Sequence, residues 1–431
     1  MDILLGILEN IIRVFNYVWW LVLPLFIFLI SWNLYLIYIR TRYVNKIDWS
    51  MIELKIPKEI LKTPKAMEQV FAGLAATYSF GLKPVETYLE GKVEPWISFE
   101  MAGYGGGVYF YIRLPSKFRN LVESAIYAQY PEAEIHLAED YTELLGSVLP
   151  NKIYDVWGTD LVLVRENYYP IRTYQHFEET QEEKRLDPIA AISEVMSNLK
   201  EGEIIWLQTL ISPASDEWQK EGQEKINEIA GRKTEEEKRG FGGALYEWAK
   251  NLFFAPVEYP SWLDGKKDET RPASKFLDPH EQDIVKAISN KISKFGFETV
   301  IRFVYIDRRD SFSPANVSAI IGSFQQFNIS YLNSFKPDTD KKTMTVKGGW
   351  LAHFFPKYKE IIEFSRKRKI FNRYRLRMFG IRNKVRPEKF SVLNTEELAT
   401  IYHLPTIMVG APRLRKLEAK KGGPPTGLPI E

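Results

Sequence analysis

The chain has 431 residues, a formal net charge of +3 and no cysteine. The absence of cysteine excludes disulfide bonds, thiolate nucleophiles and zinc–thiolate sites. Aromatic residues make up 14% of the chain, which is enough to build folded cores and argues against long disordered regions. At this length, we expect two or three folded domains beyond any membrane segment.

An uncharged stretch near the N-terminus, Val14 to Ile39, indicates a membrane anchor. As a helix of 26 residues it would be roughly 39 Å long, which is enough to cross a hydrocarbon core of about 30 Å. Tryptophan and tyrosine residues lie near both of its ends, where the two interfaces of a bilayer would lie. A buried core helix is the alternative, but soluble helices rarely run so far without a charge.

The charges that flank this stretch predict the orientation of the chain. Arg40, Arg42 and Lys46 follow it, and basic flanks favour the cytoplasmic side of a membrane. We therefore predict a single-pass protein of the cell membrane, with its N-terminus outside and its C-terminal bulk in the cytoplasm. In this prediction residues 1–49 form the anchor, with a span at about 14–39.

Residues 50–150 predict a first α+β domain. Its strands and helices alternate in the order βαββαβ, with a glycine-rich turn between the second and third strands. That order is the ferredoxin-like arrangement, for which we expect an antiparallel sheet with strand order 4-1-3-2 and both helices on one face. The apolar positions expected to face this sheet are Phe71, Leu74, Phe118, Leu121 and Val122.

Residues 151–355 predict a second ferredoxin-like domain, interrupted by a long helical insertion at 213–295. Its strands are predicted at Leu161–Val164, Tyr168–Tyr174, Glu203–Ile211, Glu298–Ile306 and Ile329–Phe335, and its helices at Asp187–Leu199 and Ser313–Phe324. The insertion combines charged helices with an aromatic patch at 241–262. This patch either packs between the charged helices or rests on a membrane or a partner subunit.

The C-terminal region, 356–431, is predicted as a basic helix followed by a Pro/Gly-rich arm. From Arg366 to Arg386 there are ten basic residues and no acidic one. Three kinds of partner stay open for them: an acidic protein surface, the backbone of nucleic acid without sequence preference, and anionic lipid headgroups. The ten candidate contacts are Arg366, Lys367, Arg368, Lys369, Arg373, Arg375, Arg377, Arg382, Lys384 and Arg386.

Motifs for catalysis are not found in this sequence. It has no phosphate-binding G-x-x-x-x-G-K-[ST] motif, its five histidines lack metal-ligand spacing, and no nucleophile–base pair stands out. We therefore predict no catalytic residue, no metal site and no cofactor, and a protein that is not an enzyme.

Three segments, Pro95–Gly103, Val108–Ile135 and Ser391–Pro405, resemble one bacterial family. They are similar to the N-terminal, non-ATPase region of membrane-anchored DNA-translocating ATPases, the coupling-protein type associated with type IV secretion and conjugation. In that family a segment similar to Leu393–Pro405 comes just before the ATPase core, whereas this sequence stops at Glu431. The resemblance therefore implies a stand-alone adaptor that anchors a separately encoded motor ATPase at the membrane.

The segment that precedes the motor in this family also supplies candidate partner-docking residues. They are Asn394, Glu396, Glu397 and His403. Two classes of function stay open: a non-enzymatic subunit of a type IV secretion-like or DNA-transfer machine, and a membrane-bound scaffold in envelope biogenesis with no nucleic-acid role. A homo-oligomer is compatible with both.

Overall fold

The chain divides into two compact units. The larger unit consists of Met1–Asn167, Ile171–Ser215 and Phe295–Glu431, and the smaller one of Tyr168–Pro170 and Asp216–Lys294. The computed structural model of the protein describes residues 2–57, 62–77, 82–177, 187–231, 277–338, 343, 356–379, 390–405 and 416–417. The aromatic patch predicted at 241–262 lies outside the described residues.

The N-terminal helix, α1, spans Asp2–Val44. Its segment Leu23–Val44 is long and apolar enough to cross a membrane. Side chains in the middle of this helix, from Leu25 to Ile30, are exposed, whereas Leu36 and Ile39 near its end are buried. The helix that the sequence predicts as an anchor is therefore joined to the folded body by packing as well as by the chain itself.

The first half of the sheet follows the predicted order βαββαβ. Its strands are β1 Trp49–Pro57, β2 Ile97–Tyr104, β3 Gly107–Pro115 and β4 Glu134–Leu137, and its helices are α2 Lys65–Leu74 and α3 Arg119–Gln129. Neighbouring strands are antiparallel in the predicted order β4-β1-β3-β2. Phe71, Leu74 and Val122 are buried, and Phe118 and Leu121 pack against the same core. The predicted inward faces of α2 and α3 are confirmed.

The second half repeats this strand order. Its strands are β5 Tyr154–Leu163, β6 Ile204–Pro213, β7 Gly296–Arg308 and β8 Phe335–Pro337. The helices of this part of the chain are α4 Ala190–Ser197, α5 Glu217–Ile229, α6 Pro279–Ile292 and α7 Pro314–Ser323. The order in the sheet is β8-β5-β7-β6, with all neighbours antiparallel.

Two strand predictions for this half are wrong. Residues 168–174 do not form a strand, because the backbone N–H groups of Ile171 and Tyr174 bind the side chains of Glu397 and Thr400 at 2.9 Å. These side chains replace the strand partner that the backbone would otherwise need. Residues 329–334 form a turn, and the closing strand begins only at Phe335.

The two halves of the sheet are continuous. β2 and β6 pair in antiparallel fashion from Ile97 opposite Ile211 to Gly103 opposite Ile205. Both strands are buried along almost their whole length, as central strands are. The predicted domains at 50–150 and 151–355 therefore share one sheet.

The C-terminal elements complete the larger unit. They are α8 Pro356–Arg375, β9 Ser391–Asn394, α9 Thr395–Ile401 and β10 Lys416–Leu417. β9 pairs with β7 and β10 with β1. In α8, Ile370, Phe371 and Tyr374 pack with Trp206 and Val304 on one face of the sheet. The helices α2, α3, α4, α7 and α9 contribute to the core on the other face.

The smaller unit contains α5 and α6. They approach closely at Gly222, where a Cβ atom would lie 2.7 Å from the side chain of Ile292. Asp278 and Glu281 have the sequence spacing of a capping box, and they form this box at the start of α6. This unit lies in the chain where the sequence predicts the insertion.

Candidate functional site

A row of polar side chains crosses the middle of the sheet on the face that α8 covers. Glu100 of β2 lies opposite Gln208 of β6. Gln208 in turn lies opposite Arg302 of β7, which lies opposite Asp160 of β5. The exposed fraction of each side chain is 3% or less. Buried polar and charged groups are costly unless they are paired, so the partners of this row decide what it does.

Hydrogen bonds connect the row from end to end. Arg302 Nε donates to Asp160 Oδ1 at 2.7 Å and forms a buried ion pair. Arg302 Nη1 donates to Gln208 Oε1 at 3.3 Å, and Gln208 Nε2 donates to Glu100 Oε1 at 3.0 Å. The bonds span four strands and connect both halves of the sheet.

Arg377, two residues after α8, closes the row at Glu100. Its Nε and Nη2 atoms donate to the two carboxylate oxygens of Glu100, each at 3.0 Å. Nη2 also donates to Asp140 Oδ1 at 3.0 Å, and Nη1 donates to Asp140 Oδ2. The forked guanidinium suits two carboxylates in a way that a lysine ammonium does not. Arg377 is fully buried and has φ 46°, a backbone conformation that few residues other than glycine adopt.

Hydroxyl groups satisfy the remaining positions around Glu100. Tyr141 Oη donates to Glu100 Oε2 at 2.7 Å, and Ser98 Oγ donates to Glu100 Oε1. Tyr141 Oη also lies 2.7 Å from Tyr374 Oη. Because Tyr141 gives its one hydroxyl hydrogen to Glu100, Tyr374 is the donor to Tyr141. Glu100 thus accepts hydrogen bonds from β2, β6, the segment before β5 and the end of α8. We call Glu100, Asp140, Tyr141, Asp160, Gln208, Arg302, Tyr374 and Arg377 the buried ion network.

The buried ion network also caps α8. The last carbonyls of a helix have no partner within it, and its C-terminal end carries a partial negative charge. Arg302 Nη1 donates to the carbonyl oxygen of Arg373 at 2.9 Å, and Gln208 Nε2 donates to that of Tyr374 at 3.2 Å. A cation and an amide from the sheet therefore hold the helix end in place.

The charged groups of the network shift one another's pKa values. Burial by itself would raise the pKa of Glu100, but the charge and hydrogen bonds of Arg377 hold this pKa below its ordinary value. Burial likewise opposes the ionised form of Asp140, and Arg377 again lowers its pKa. Burial by itself would lower the pKa of Arg377, but Glu100 raises it well above its ordinary value. All three groups are therefore charged at neutral pH.

Several predicted basic contacts bind the protein itself. Arg377 belongs to the buried ion network, so it is not available to an external phosphate or lipid, contrary to the prediction. Lys367 Nζ forms an ion pair with Asp155 at 2.9 Å. Arg375 Nη1 donates to the carbonyl oxygen of Ser147 at 2.9 Å. These two contacts hold the basic helix against its own chain.

Other basic candidates remain on the surface. Arg368 and Lys369 are exposed, and Arg366 and Arg373 are half-buried. Ile361 and Phe364 of the same helix are 66% and 46% exposed. Ile361, Phe364 and Arg368 are spaced at i, i+3 and i+7 and lie on one helix face. The last three candidates, Arg382, Lys384 and Arg386, lie outside the described residues.

The predicted partner-docking residues lie inside the fold. Asn394 and Glu397 form the capping box that starts α9, and both are buried. His403 is fully buried, with Nε2 2.9 Å from Asp187 Oδ1. Glu396 is half-buried. Asn394, Glu397 and His403 therefore hold α9 in the body and do not offer a surface to a partner, contrary to the prediction.

The sequence contained a signal for the buried ion network. Glu100 interrupts the apolar strand ISFEMAGY, and Arg302 interrupts the apolar run TVIRFVYI. A single charge within such a strand indicates a buried partner of opposite charge. Among the described residues, no group of three or more His, Cys, Asp or Glu side chains is placed to hold a metal ion.

A sequence profile of one protein family, described as Domain of unknown function (DUF8128), matches residues 44–345. The matched region starts at the end of α1 and continues just past β8, so it includes the strands β1 to β8. A search of the curated proteins finds no match.

Proposed function

The chain belongs to this domain family of unknown function (DUF8128), and on that premise we propose that it is a non-enzymatic adaptor in the cell membrane. It holds a separate motor ATPase of a type IV secretion-like or DNA-transfer machine at the cytoplasmic face. The helix α1 is the anchor, the sheet is the platform, and the exposed face of α8 is the docking surface. The resemblance at Pro95–Gly103, Val108–Ile135 and Ser391–Pro405 supports this choice of machine.

The observation that carries this proposal is the way in which α8 is held. Its C-terminal end is fixed on the sheet by Arg302, Gln208 and Arg377, while Arg368 and Lys369 stay exposed. A surface that is already rigid loses little conformational entropy when a partner binds. Exposed cations on such a surface attract acidic partners and favour one orientation of approach.

The composition of the exposed helix face favours a protein partner. Ile361 and Phe364 accompany Arg368 on this face. Aromatic residues and arginine are enriched at the centres of protein–protein interfaces, whereas a nucleic-acid backbone needs cations without apolar anchors. Nucleic acid and anionic lipid therefore rank behind a protein as partners of α8.

The location in the membrane is supported by α1 and its flanks. The helix is long enough to span, and Arg40, Arg42 and Lys46 follow the uncharged stretch. The positive-inside rule then places the N-terminus outside and the sheet in the cytoplasm. An anchored adaptor is confined to two dimensions, which raises the effective concentration of a weakly bound partner.

The buried ion network supports a structural role for its charges. Glu100, Asp160 and Arg302 are buried and bound to other groups of the chain, so they do not meet solvent or a substrate. Buried ionic networks of this kind fix the arrangement of the elements that they join. We accordingly propose that the protein has no catalytic residue, metal or cofactor.

We propose that each half of the sheet is a ferredoxin-like unit, and that the units are joined through their second strands. The order β4-β1-β3-β2 and the order β8-β5-β7-β6 support this proposal, because each is the order 4-1-3-2. The helices α2 and α3 follow their expected places in the first half, and α4 and α7 do so in the second. A homo-oligomer of such platforms would present several copies of α8.

Co-purification tests the adaptor proposal. The tagged full chain is extracted from its native membranes in mild detergent, and the ATP hydrolysis that accompanies it is measured per mole of protein. We expect the pair Arg368→Gln/Lys369→Gln to lower this activity about tenfold, which corresponds to ~1.4 kcal/mol of binding free energy. The control pair Lys220→Gln/Lys286→Gln removes two exposed charges from α5 and α6 and should leave it unchanged.

The outcomes separate the open functions. If no ATPase accompanies the wild-type chain, the adaptor proposal is rejected and a scaffold in envelope biogenesis becomes the leading function. If the chain binds random duplex DNA with a steep salt dependence that the α8 pair abolishes, the cations serve nucleic acid instead. A chain truncated after Pro405 tests the Pro/Gly-rich arm, and it retains β9 and α9, which belong to the core.

A further inference from the structure

A short segment of the body, residues 82–92, packs against the C-terminal part of α1, and we call it the juxtamembrane turn. Its residues Glu86–Glu90 form a single π-helical turn. The ring of Tyr88 stacks on that of Trp32 in α1, with centroids 6.2 Å apart and planes at 28°. Gly91, at φ 71°, touches the backbone of α1: a Cβ atom there would lie 2.5 Å from the carbonyl carbon of Ile39.

These contacts fix the height of the turn along α1. Leu36, Ile39 and Arg40 are buried by the body, with exposed fractions of 3%, 8% and 4%. Phe26 and Leu29, further towards the N-terminus, are 59% and 50% exposed. On the side of α1 that the body covers, the part that is free to contact lipid therefore ends near Trp32, whereas Leu34 and Tyr38 on another side stay exposed. Tryptophan at such an end is typical of the membrane–water interface.

The turn exposes two large apolar side chains beside this point. Val85 is 59% exposed and Leu89 is 65% exposed, and they flank Tyr88. The turn is internally braced, because Lys92 Nζ forms an ion pair with Glu86 Oε1 at 2.7 Å and the Lys83 N–H donates to Glu86 Oε2 at 2.9 Å. A braced turn with outward apolar side chains is suited to insertion into an interface.

Resting on the membrane location proposed above, we propose that the juxtamembrane turn inserts Val85 and Leu89 into the interfacial layer of the bilayer that α1 crosses. Continuity with α1 identifies the occupant, because the turn is attached to the helix at the level of Trp32. Charge agrees with this assignment: Lys83 of the turn and Arg42 of α1 are exposed cations and suit anionic headgroups. The turn sets the height and tilt of the body above the membrane.

The cysteine-free sequence allows a direct test. Single cysteines at Leu29, Leu89 and Ile153 are labelled with bimane in the full chain, which is reconstituted in nanodiscs with or without brominated lipid. Ile153 is the matched control, since its exposed fraction of 58% is close to that of Leu89. Ile153 precedes Tyr154, which pairs with Arg308 at one end of the sheet. Trp49 lies at the opposite end.

The expected result is strong quenching by brominated lipid at Leu29, at least about half as much at Leu89, and no quenching at Ile153. Absence of quenching at Leu29 rejects the membrane location itself. Quenching at Leu29 without quenching at Leu89 overturns the inserted turn and leaves the anchor intact. A blue-shifted but unquenched label at Leu89 also overturns it, because a protein surface, such as a second copy of the chain, then covers the turn.

Discussion

The two ends of the described part of the basic segment, residues 366–379, carry the same kind of side chain and lie in opposite environments. Arg368 and Lys369 are exposed on α8, whereas Arg377, two turns later in the sequence, is fully buried. The difference comes from partners far away in the chain. Glu100 and Asp140 precede Arg377 by 277 and 237 positions, and both bind its guanidinium. A run of basic residues in the sequence thus predicts a local positive charge. Carboxylates far away in the chain determine which of these basic residues are buried in the core.

The energetics of the two ends differ for the same reason. An exposed charge is solvated and contributes little to stability, whereas a buried charge must be matched by a partner and by hydrogen bonds. At the buried end, the side chains that bind the charged groups also cap α8 and fix its position. At the exposed end the cations remain free to act on a partner. Substitutions at the two ends should therefore separate stability from binding.

The largest effect is expected for Arg377→Met. Removing the guanidinium leaves Glu100 buried without its cation and should lower the free energy of unfolding by about 3–5 kcal/mol. Urea unfolding of the full chain in detergent, followed by circular dichroism, measures this change. Arg308→Met is the control, because Arg308 is exposed and pairs only with the exposed Asp310 among the contacts described for its side chain. A loss no larger than that of the control would show that Arg377 is dispensable to the fold.

Glu100→Gln should have the next largest effect, about 3 kcal/mol at neutral pH. The folded-state pKa of Glu100 lies below its ordinary value of 4.5, so its stabilisation is present above that value and is lost as the pH falls through the folded-state pKa. Stability of the wild type should therefore fall from about pH 4.5 downwards, and that of the variant should fall less steeply. Parallel pH profiles for the two proteins would contradict this assignment.

A smaller loss, about 1–3 kcal/mol, is expected for Gln208→Leu. This change removes the amide that connects Glu100, Arg302 and the carbonyl oxygen of Tyr374, and it leaves buried groups without a hydrogen bond. Hydrogen exchange of the last turn of α8 should accelerate as well, because one cap is lost. Unchanged exchange there would mean that Arg302 and Arg377 hold the helix end without Gln208.

Almost no change in stability is expected for Arg368→Gln/Lys369→Gln. Exposed charges far from buried partners usually contribute within about 0.5 kcal/mol. Unfolding of this pair and of the wild type should coincide within that margin, even though partner recovery falls. A destabilisation comparable to that of Gln208→Leu would place these side chains in the core and remove them from the docking surface.

Local patterns were sufficient for much of the fold. The alternation of apolar residues and the helical spacing at Phe71, Leu74 and Val122 predicted the elements of the first half and their inward faces, since both periods are local properties. The capping box at Asp278 and Glu281 has a sequence spacing that is recognisable in the same way. Each of these signals depends on residues within about two turns of one another.

Local patterns could not predict contacts between residues that are far apart in the sequence. The pairing of β2 with β6, which merges two predicted domains, depends on which edges meet in three dimensions. The aromatic stretch at 168–174 alternates like a strand, but side chains of α9 bind its backbone instead. Glu397 and His403 were interpreted as docking residues from the family resemblance, and their burial depends on remote contacts that no local pattern shows. The sequence signal for the network is limited to the isolated charges within apolar strands, Glu100 and Arg302, and it does not identify their partners.

The most direct test of the account is a double-mutant cycle between Arg377 and Glu100. The free energies of unfolding are measured for the wild type, Arg377→Met, Glu100→Gln and the double variant, all as full chains in detergent. The buried pair predicts that the double variant loses less stability than the sum of the single losses, with a coupling of about 1–3 kcal/mol. Additivity within about 0.5 kcal/mol would contradict the claim that this ion pair fixes α8 to the sheet.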